Sequence, residues 1–413
     1  MTRHLLKMVW NRKRANLLIV LEIFISFLVL FSVAVFGINS LINSQMPLGF
    51  SWQNVWVIEA NPQTYMWSPY ILPEKALQEK YMQVLSTVRS FDQIESMAAA
   101  IRVPYTNYDM VRYYVEDARS FIYQYHEASD GFKDVMNLQV VRGRWFESSD
   151  DALSWIPVVV NEEFALRAFG TEDPLGRIVQ AGKMKLRPDR TEDNPYFYFD
   201  GRIVGVIKGY RENGKYSSPK PFVIFRRSLS KPDDDMLPWI AINIKPGTPR
   251  SFEEQLLNAL NGAAKDWSFQ VQSLEDMRES TLGITKTLVT IAVIVAGFLM
   301  LMVGFGLLGV LWQSVTQRTS EIGLRRAQGA SAADVYRQVL GELFFIATLA
   351  LIPGILLIVQ FPLLNLIGDL KPSVYFYSIV LSIILIYILT LICGLYPGWL
   401  ATRIRPAEAL HHE

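Results

Sequence analysis

The chain offers few side chains for covalent chemistry. Its histidines are His4, His126, His411 and His412, and its one cysteine is Cys393. His411 and His412 nearly end the sequence and are given no role. The large polar region contains no H-E-x-x-H and no G-x-S-x-G, so neither the zinc-hydrolase nor the serine-hydrolase arrangement is available. A G-x-x-x-x-G-K-[ST] loop is missing throughout, and with it the usual backbone cradle for nucleotide phosphates. Asp233, Asp234 and Asp235 are consecutive. Three adjacent aspartates cannot all face one calcium ion, so a solvated loop is the better reading. One cysteine leaves no disulfide within the chain. The expectation is a protein without catalytic, metal or cofactor residues.

Two features stand apart. Glu22 lies inside an apolar run, where a mid-membrane charge costs about 2.5–3.5 kcal/mol on insertion scales. It sits near one end of that run, so snorkelling or pairing with a neighbouring helix is favoured over a substrate or proton role. The second feature is QRTSEIGLRRAQGASAADVYRQVLGE, residues 317–342. Glu321 and Arg325 are four apart, the favourable order for an exposed helix pair. Gly329 is placed as the glycine that ends this helix. Ser331 begins another, with Asp334 three residues on as its capping partner. The pattern predicts a short surface helix held at a sharp turn. It fits both a plain connection and a docking helix for another protein.

The elements that would position this turn are membrane spans. Hydrophobic residues make up 51% of the 413, charged residues 19%, and mean hydropathy is +0.19. A net charge of +1 argues against a nucleic-acid partner. The apolar residues cluster in four runs, 17–42, 284–315, 343–367 and 374–396, each long enough for a core of about 30 Å. The first follows Lys7, Arg12, Lys13 and Arg14 but is too long for a signal peptide and has no small-residue cleavage site, so an uncleaved anchor is expected. Arg318, Arg325, Arg326 and Arg337 follow the second run, and Arg403 and Arg405 the fourth. The positive-inside rule places all these segments in the cytoplasm and the roughly 240 residues between the first two runs outside. Trp10, Trp312, Tyr396 and Trp399 are expected at the inner interface, Tyr375 and Tyr377 at the outer one. Gly297, Gly304, Gly306 and Gly309 permit close helix approach, in a dimer or within the subunit. Pro353-Gly354 is expected to kink the third span.

The outer region alternates strand and helix signals, an α+β pattern. Strands are expected at 54–60, 94–103, 111–118, 156–161, 201–211, 221–227 and 239–247. Helices are expected at 74–91, at 161–170 with Asn161 as N-cap and Gly170 beyond the end, and after Ser251, with Glu254 completing a capping box. The fold class expected is an α-helical membrane protein with four transmembrane helices plus an α+β extracytoplasmic domain. The divisions are 1–44, 45–283, 284–315, 316–342, 343–398 and 399–413.

The turn segment resembles the MacB/FtsX-like permeases of ABC systems, whose pattern is R-x-x-E-I-G-x-x-R-A-x-G-A-S. It is carried by Arg318, Glu321, Ile322, Gly323, Arg325, Arg326, Ala327, Gly329, Ala330 and Ser331. The ending Tyr396-Pro397-Gly398-Trp399-Leu400-Ala401 and Arg405-Pro406-Ala407-Glu408-Ala409-Leu410 is similar to the family's, with Gly398 where alanine is usual. Gly143-Arg144-Trp145-Phe146, Asn161-Glu162-Glu163-Phe164-Ala165 and Asp173-Pro174-Leu175-Gly176-Arg177 extend the resemblance outward. It implies a type VII architecture with the turn as coupling helix and a MacB-like periplasmic core domain. That domain would have a Sabre-like part near 150–230 and Porter-like flanks. It also implies separate ABC ATPase subunits, a second permease (identical or paralogous), a possible periplasmic adaptor, membrane lipid and no nucleic acid. From the short segments before the first span and after the fourth, no fused ATPase is expected. The expected location is the bacterial inner membrane, multi-pass, with both termini cytoplasmic. The expected work is mechanotransmission for efflux, export or lipoprotein handling. A receptor or scaffold whose outer domain binds a ligand or regulates a cell-wall enzyme is the alternative.

Overall fold

A computed structural model describes residues 13–62, 75–106, 110–116, 119–179, 201–230, 236–317, 324, 327–364 and 370–402. The chain divides into two compact units. One comprises Met1–Ile42 with Thr285–Glu413, the other Asn43–Ile284.

Among the described residues, the first unit is built from four helices long and apolar enough to cross a membrane. They are α1 (Lys13–Ser44), α6 (Leu274–Gln317), α7 (Ala332–Leu363) and α8 (Pro372–Thr402). α6 starts at Leu274, ten residues before the apolar run at Ile284. The reason is local: Ser273 Oγ accepts the Asp276 N–H at 3.0 Å, and Glu275 and Asp276 occupy the first turn. Both features favour a helix start. At 1.5 Å per residue, the 44 residues give about 66 Å of helix. α7 ends at Leu363 rather than 367, and its helical assignment runs unbroken through Pro353. The bundle core is Ile23 and Phe27 of α1, Val303 and Leu307 of α6, Ala347 and Leu351 of α7, and Ile386 and Cys393 of α8. Tyr375 stacks on Phe31 at 6.4 Å and is 4% exposed, so it packs into this core. Tyr377 is 56% exposed.

The second unit is a mixed sheet with helices. Its strands are β1 (Val55–Pro62), β2 (Ile94–Ala100), β3 (Val111–Glu116), β4 (Arg119–Ala128), β5 (Val140–Gly143), β6 (Ile156–Asn161), β7 (Ile178–Val179), β8 (Gly201–Ile207), β9 (Phe222–Arg226), β10 (Trp239–Ile244) and β11 (Trp267–Ser273). The order is β11-β1-β10-β2-β4-β9-β6-β8-β5, with β3 on β4 and β7 on β8. β4–β9 and β6–β8 are parallel. β2 and β4 share one residue pair, Ala100 with Ala128.

Helices α2 (Lys75–Arg89) and α5 (Phe252–Ala263) cover one face with Val84, Leu85, Leu256 and Leu260. The expected stripe of α2 is buried at Tyr81, Leu85 and Val88. α3 (Phe132–Met136) lies over the opposite face, among Val57, Ala98, Ile207 and Phe222. α4 (Glu162–Phe169) packs with Tyr114, Tyr123, Val158 and Phe225 in a third cluster. Asn161 caps α4 by accepting the Phe164 N–H at 2.9 Å, and Gly170 follows the helix at φ +65. Ser251 makes no side-chain cap, contrary to the expected capping box. Its backbone is already helical (φ −61, ψ −17), because Phe252 N–H bonds to Pro249 O and Glu253 N–H to Arg250 O. The turn therefore begins before Ser251, and its hydroxyl no longer faces the third helical N–H.

The Gly143-to-Phe146 motif anchors the sheet. Arg144 donates to both oxygens of Asp150 at 2.8 and 2.6 Å, and Trp145 Nε1 donates to Asp130 O at 2.8 Å. Arg226 bridges Asp130 and Asp151 at 2.7 Å each. The hydrogen bonds from Arg144 hold the Asp150 carboxyl below its ordinary range, against the opposing effect of burial. A lowered native pKa contributes stability above the unfolded value of about 4, and that stability is lost as pH falls through the native value. Unfolding of the outer unit followed from pH 7 to 3 is therefore expected to show an acid limb. Asp150→Asn is expected to be destabilised at pH 7 and to have a flatter limb.

Candidate functional site

The turn expected to bear function lies between α6 and α7. Arg318, Glu321, Ile322, Gly323, Arg325 and Arg326 fall outside the described residues. The remainder is described and makes a defined knuckle. Gln328 N–H bonds to Leu324 O at 3.0 Å, closing a helical turn. Gly329 follows at φ +102, a conformation strained for any residue with a Cβ. Ala330 leads into Ser331, whose extended backbone (φ −72, ψ 158) starts α7. Ser331 Oγ accepts the Asp334 N–H at 3.2 Å, and Asp334 Oδ2 accepts the Ser331 N–H at 3.1 Å. This reciprocal pair fixes the angle at which the chain enters α7. Ala327, Gly329 and Ser331 are exposed, and Leu324 is 49% exposed. The knuckle thus presents the exposed Leu324 side chain beside a capped helix start.

Two groups of contacts mark the helix bundle itself. Trp312 of α6 stacks on Tyr396 of α8 at 6.3 Å and 11°, and Tyr396 on Trp399 at 6.2 Å. Three of the expected interfacial aromatics therefore form one column, while Trp10 lies outside the described residues. Glu22 of α1 fits against Gly306 of α6, where an added Cβ would lie 2.4 Å from a carboxylate oxygen. Gly304 faces Cys393, whereas an added Cβ at Gly297 or Gly309 meets nothing within 4 Å. The glycines divide accordingly: two serve packing within the subunit and two are open. Gly306→Leu is expected to force α1 from α6 and cost about 1–3 kcal/mol. Glu22→Ala in the same chain should recover part of that cost, read as the thermal aggregation midpoint in detergent.

Of the histidines, His126 alone lies among the described residues, and it is placed for packing. His126 is fully buried, stacked on Tyr210 at 5.7 Å and edge-on to Phe132 and Phe222. Burial, with Arg102 adding to it, pushes its pKa down to about 3, so it is neutral at physiological pH. Among the described residues no three His, Cys, Asp or Glu side chains gather to hold a metal. Sequence reasoning missed Arg211, which is 4% exposed and spans two distant segments. The only local signal is the spacing of Gly205, Gly209 and Gly214 around it.

With the turn and bundle in this arrangement, the family assignment rests on two sequence profiles. The MacB-like periplasmic core domain matches residues 18–258, and the FtsX-like permease C-terminal domain matches residues 293–406. The chain belongs to the MacB/FtsX-like permease family. Among similar proteins is the macrolide export ATP-binding/permease protein MacB of Bdellovibrio bacteriovorus, 26% identical over 279 residues. That match covers 66% of this chain and 41% of that protein. The uncharacterized ABC transporter permease YknZ of Bacillus subtilis is 24% identical over 310 residues, covering 73% of this chain and 72% of YknZ. This chain therefore spans about two fifths of the MacB relative and most of YknZ. The periplasmic region of MacB from Actinobacillus actinomycetemcomitans aligns with a TM-score of 0.38 at 17% identity, covering 55% of this chain and 92% of that one. The chain is thus a MacB/FtsX-like permease with four apolar helices and a MacB-like periplasmic domain.

Proposed function

We propose that this chain is the membrane subunit of an ABC transporter of the MacB/FtsX type. In this reading it works with separate ATPase subunits and a second permease chain in a bacterial inner membrane. Both termini and the 316–342 segment face the cytoplasm, and a periplasmic adaptor is a further partner. ATP-driven closure of the ATPases pushes the turn formed by Arg318, Glu321, Ile322, Gly323, Arg325, Arg326, Ala327, Gly329, Ala330 and Ser331. The push reaches the outer unit through the spans, so that ATP hydrolysis becomes motion of the periplasmic domain. The work is export, efflux or lipoprotein handling, with the part of the domain near 150–230 as its Sabre-like portion.

The observation that carries the reading is the capped knuckle from Gly329 to Asp334. A connection serving only to join two helices has no need of a rigid, exposed corner. Ala327 to Ser331 complete a pattern that begins at Arg318, and they sit where force from a docked subunit would enter α7. The names of the MacB relatives, which join ATP binding and permease in one protein, support the coupling to ATP. The first test is purification. The native complex should contain an ATPase subunit identified by mass and should hydrolyse ATP, whereas this chain alone should release no phosphate. Robust turnover by a clean preparation of the single chain would sink the proposal.

A further inference from the structure

The segment leaving α1 crosses the loop between β8 and β9, and the contact is built around one buried cation. Arg211 donates through Nη1 to Met46 O at 2.9 Å and through Nε and Nη2 to Ser217 O at 3.1 and 2.8 Å. Nη2 also bonds to Lys215 O, and the Arg211 N–H donates to Leu48 O at 3.0 Å. Beside it, Asn43 Nδ2 donates to Tyr216 O at 3.1 Å and Ser218 Oγ at 3.2 Å. Gly49 lets the two backbones meet: at φ +85, an added Cβ would lie 2.0 Å from Gly209 O. A buried guanidinium is tolerated only when its donors are satisfied, and here backbone carbonyls from both segments satisfy them.

The sheet gives this contact its leverage. Strands β11-β1-β10-β2 form one half and β4-β9-β6-β8-β5 the other, joined in the ladder by the single Ala100–Ala128 pair. Beneath the joint both halves share an apolar core that includes Val57, Ala100, Ile207 and Ile224. Packed apolar layers slide by small shears more readily than directional bonds break. Both flanking helices continue covalently into the first half: α1 leads into β1, and β11 leads into α6. The β8–β9 loop belongs to the second half. Arg211 and Asn43 therefore give α1 a grip on a half to which it has no short covalent link.

We propose that Arg211 is a transmission residue, positioning the β8–β9 loop to move with the outer end of α1 and so to turn the second half about the Ala100–Ala128 joint. The inference rests on the coupling reading above and assigns it a route.

The test uses the full chain in its native complex, reconstituted in lipid nanodiscs. Spin labels are placed at Met82→Cys and Leu166→Cys in a Cys393→Ser background. Both positions are exposed and lie one in each half. Distance distributions are read with and without ATP, alongside phosphate release. The labelled reference chain should show an ATP-dependent shift. Arg211→Met should lose that shift while the complex keeps its ATP turnover. Asn43→Ala with Ser218→Ala, which leaves the guanidinium in place, should reduce the shift partway. An undiminished shift in Arg211→Met overturns the inference and leaves the coupling reading standing. If hydrogen exchange shows the second half unfolded in Arg211→Met, the Asn43→Ala/Ser218→Ala chain decides, and an undiminished shift there overturns it. A reference chain that shows no shift while ATP is turned over defeats the coupling reading and this inference together.

Discussion

Alanine at both Glu321 and Arg325 is expected to abolish stimulation of the partner ATPase. Removing either the docking contact or the angle of the turn erases a coupling free energy, typically 1–3 kcal/mol, so stimulation should fall about 5- to 150-fold. The two residues are four apart in sequence and of opposite charge, and on a helix such a pair is worth only a few tenths of a kcal/mol. A larger loss would therefore belong to contact with another protein. Ser331→Ala probes the other component. It removes the bonds of the Ser331 hydroxyl to the Asp334 N–H and carboxylate, keeps the Ser331 backbone N–H bond to Asp334 Oδ2, and costs about 1 kcal/mol of helix-start stability, leaving the charges untouched. Partial uncoupling is expected from it. The readout is phosphate release by the native complex, with subunit stoichiometry checked by mass. Unchanged stimulation in the double alanine chain would favour a receptor or scaffold in which the turn only connects helices.

The turn was legible because everything that shapes it is local. Gly329, Ser331 and Asp334 act over three or four residues, and the capping pair follows from their spacing alone. The four spans were legible because hydrocarbon thickness sets a length that apolar runs display directly. The start of α6 was less so: Leu274–Gly283 is polar, so an apolar criterion misses it, and a serine cap at the end of β11 fixes the boundary. β4 was missed for a related reason. Its residues follow β3 without the Gly or Asn turn signal that usually announces a hairpin. Ser251 had the spacing of a capping box, but Pro249 had already turned the chain. The long-range bonds left no trace in local spacing. Arg211 and Met46 are 165 residues apart, and Arg226 and Asp130 are 96 apart. A buried arginine reads in sequence like an exposed one.

Asn161→Ala tests the strongest of the local readings at a site where long-range bonds have been added to it. The sequence marks Asn161 as a helix cap, and as such its loss would cost about 1 kcal/mol. The structure gives the same side chain three bonds. Oδ1 accepts the N–H of Phe164 and of Phe222, each at 2.9 Å, and Nδ2 donates to Lys220 O at 2.7 Å. Asn161 is 1% exposed, so no water replaces what alanine removes. Two buried N–H groups and one carbonyl would lose this partner at about 1–3 kcal/mol each, giving about 3–9 kcal/mol in all. Against a domain stability of about 5–15 kcal/mol, that loss is expected to unfold or loosen the half built on β6 and β9. Hydrogen exchange of the intact chain in detergent should show amides of both strands deprotected, while α2 and α5 on the other half change less. Asn161→Ser separates the two roles, because its hydroxyl can cap Phe164 but is too short to span to Lys220. It should recover the cap's share of about 1 kcal/mol and leave the rest of the loss in place. Full recovery by serine would mean that the bonds to β9 contribute little. The joint between α4 and β9 would then be held by the apolar cluster that includes Phe164, Ala168, Val223 and Phe225.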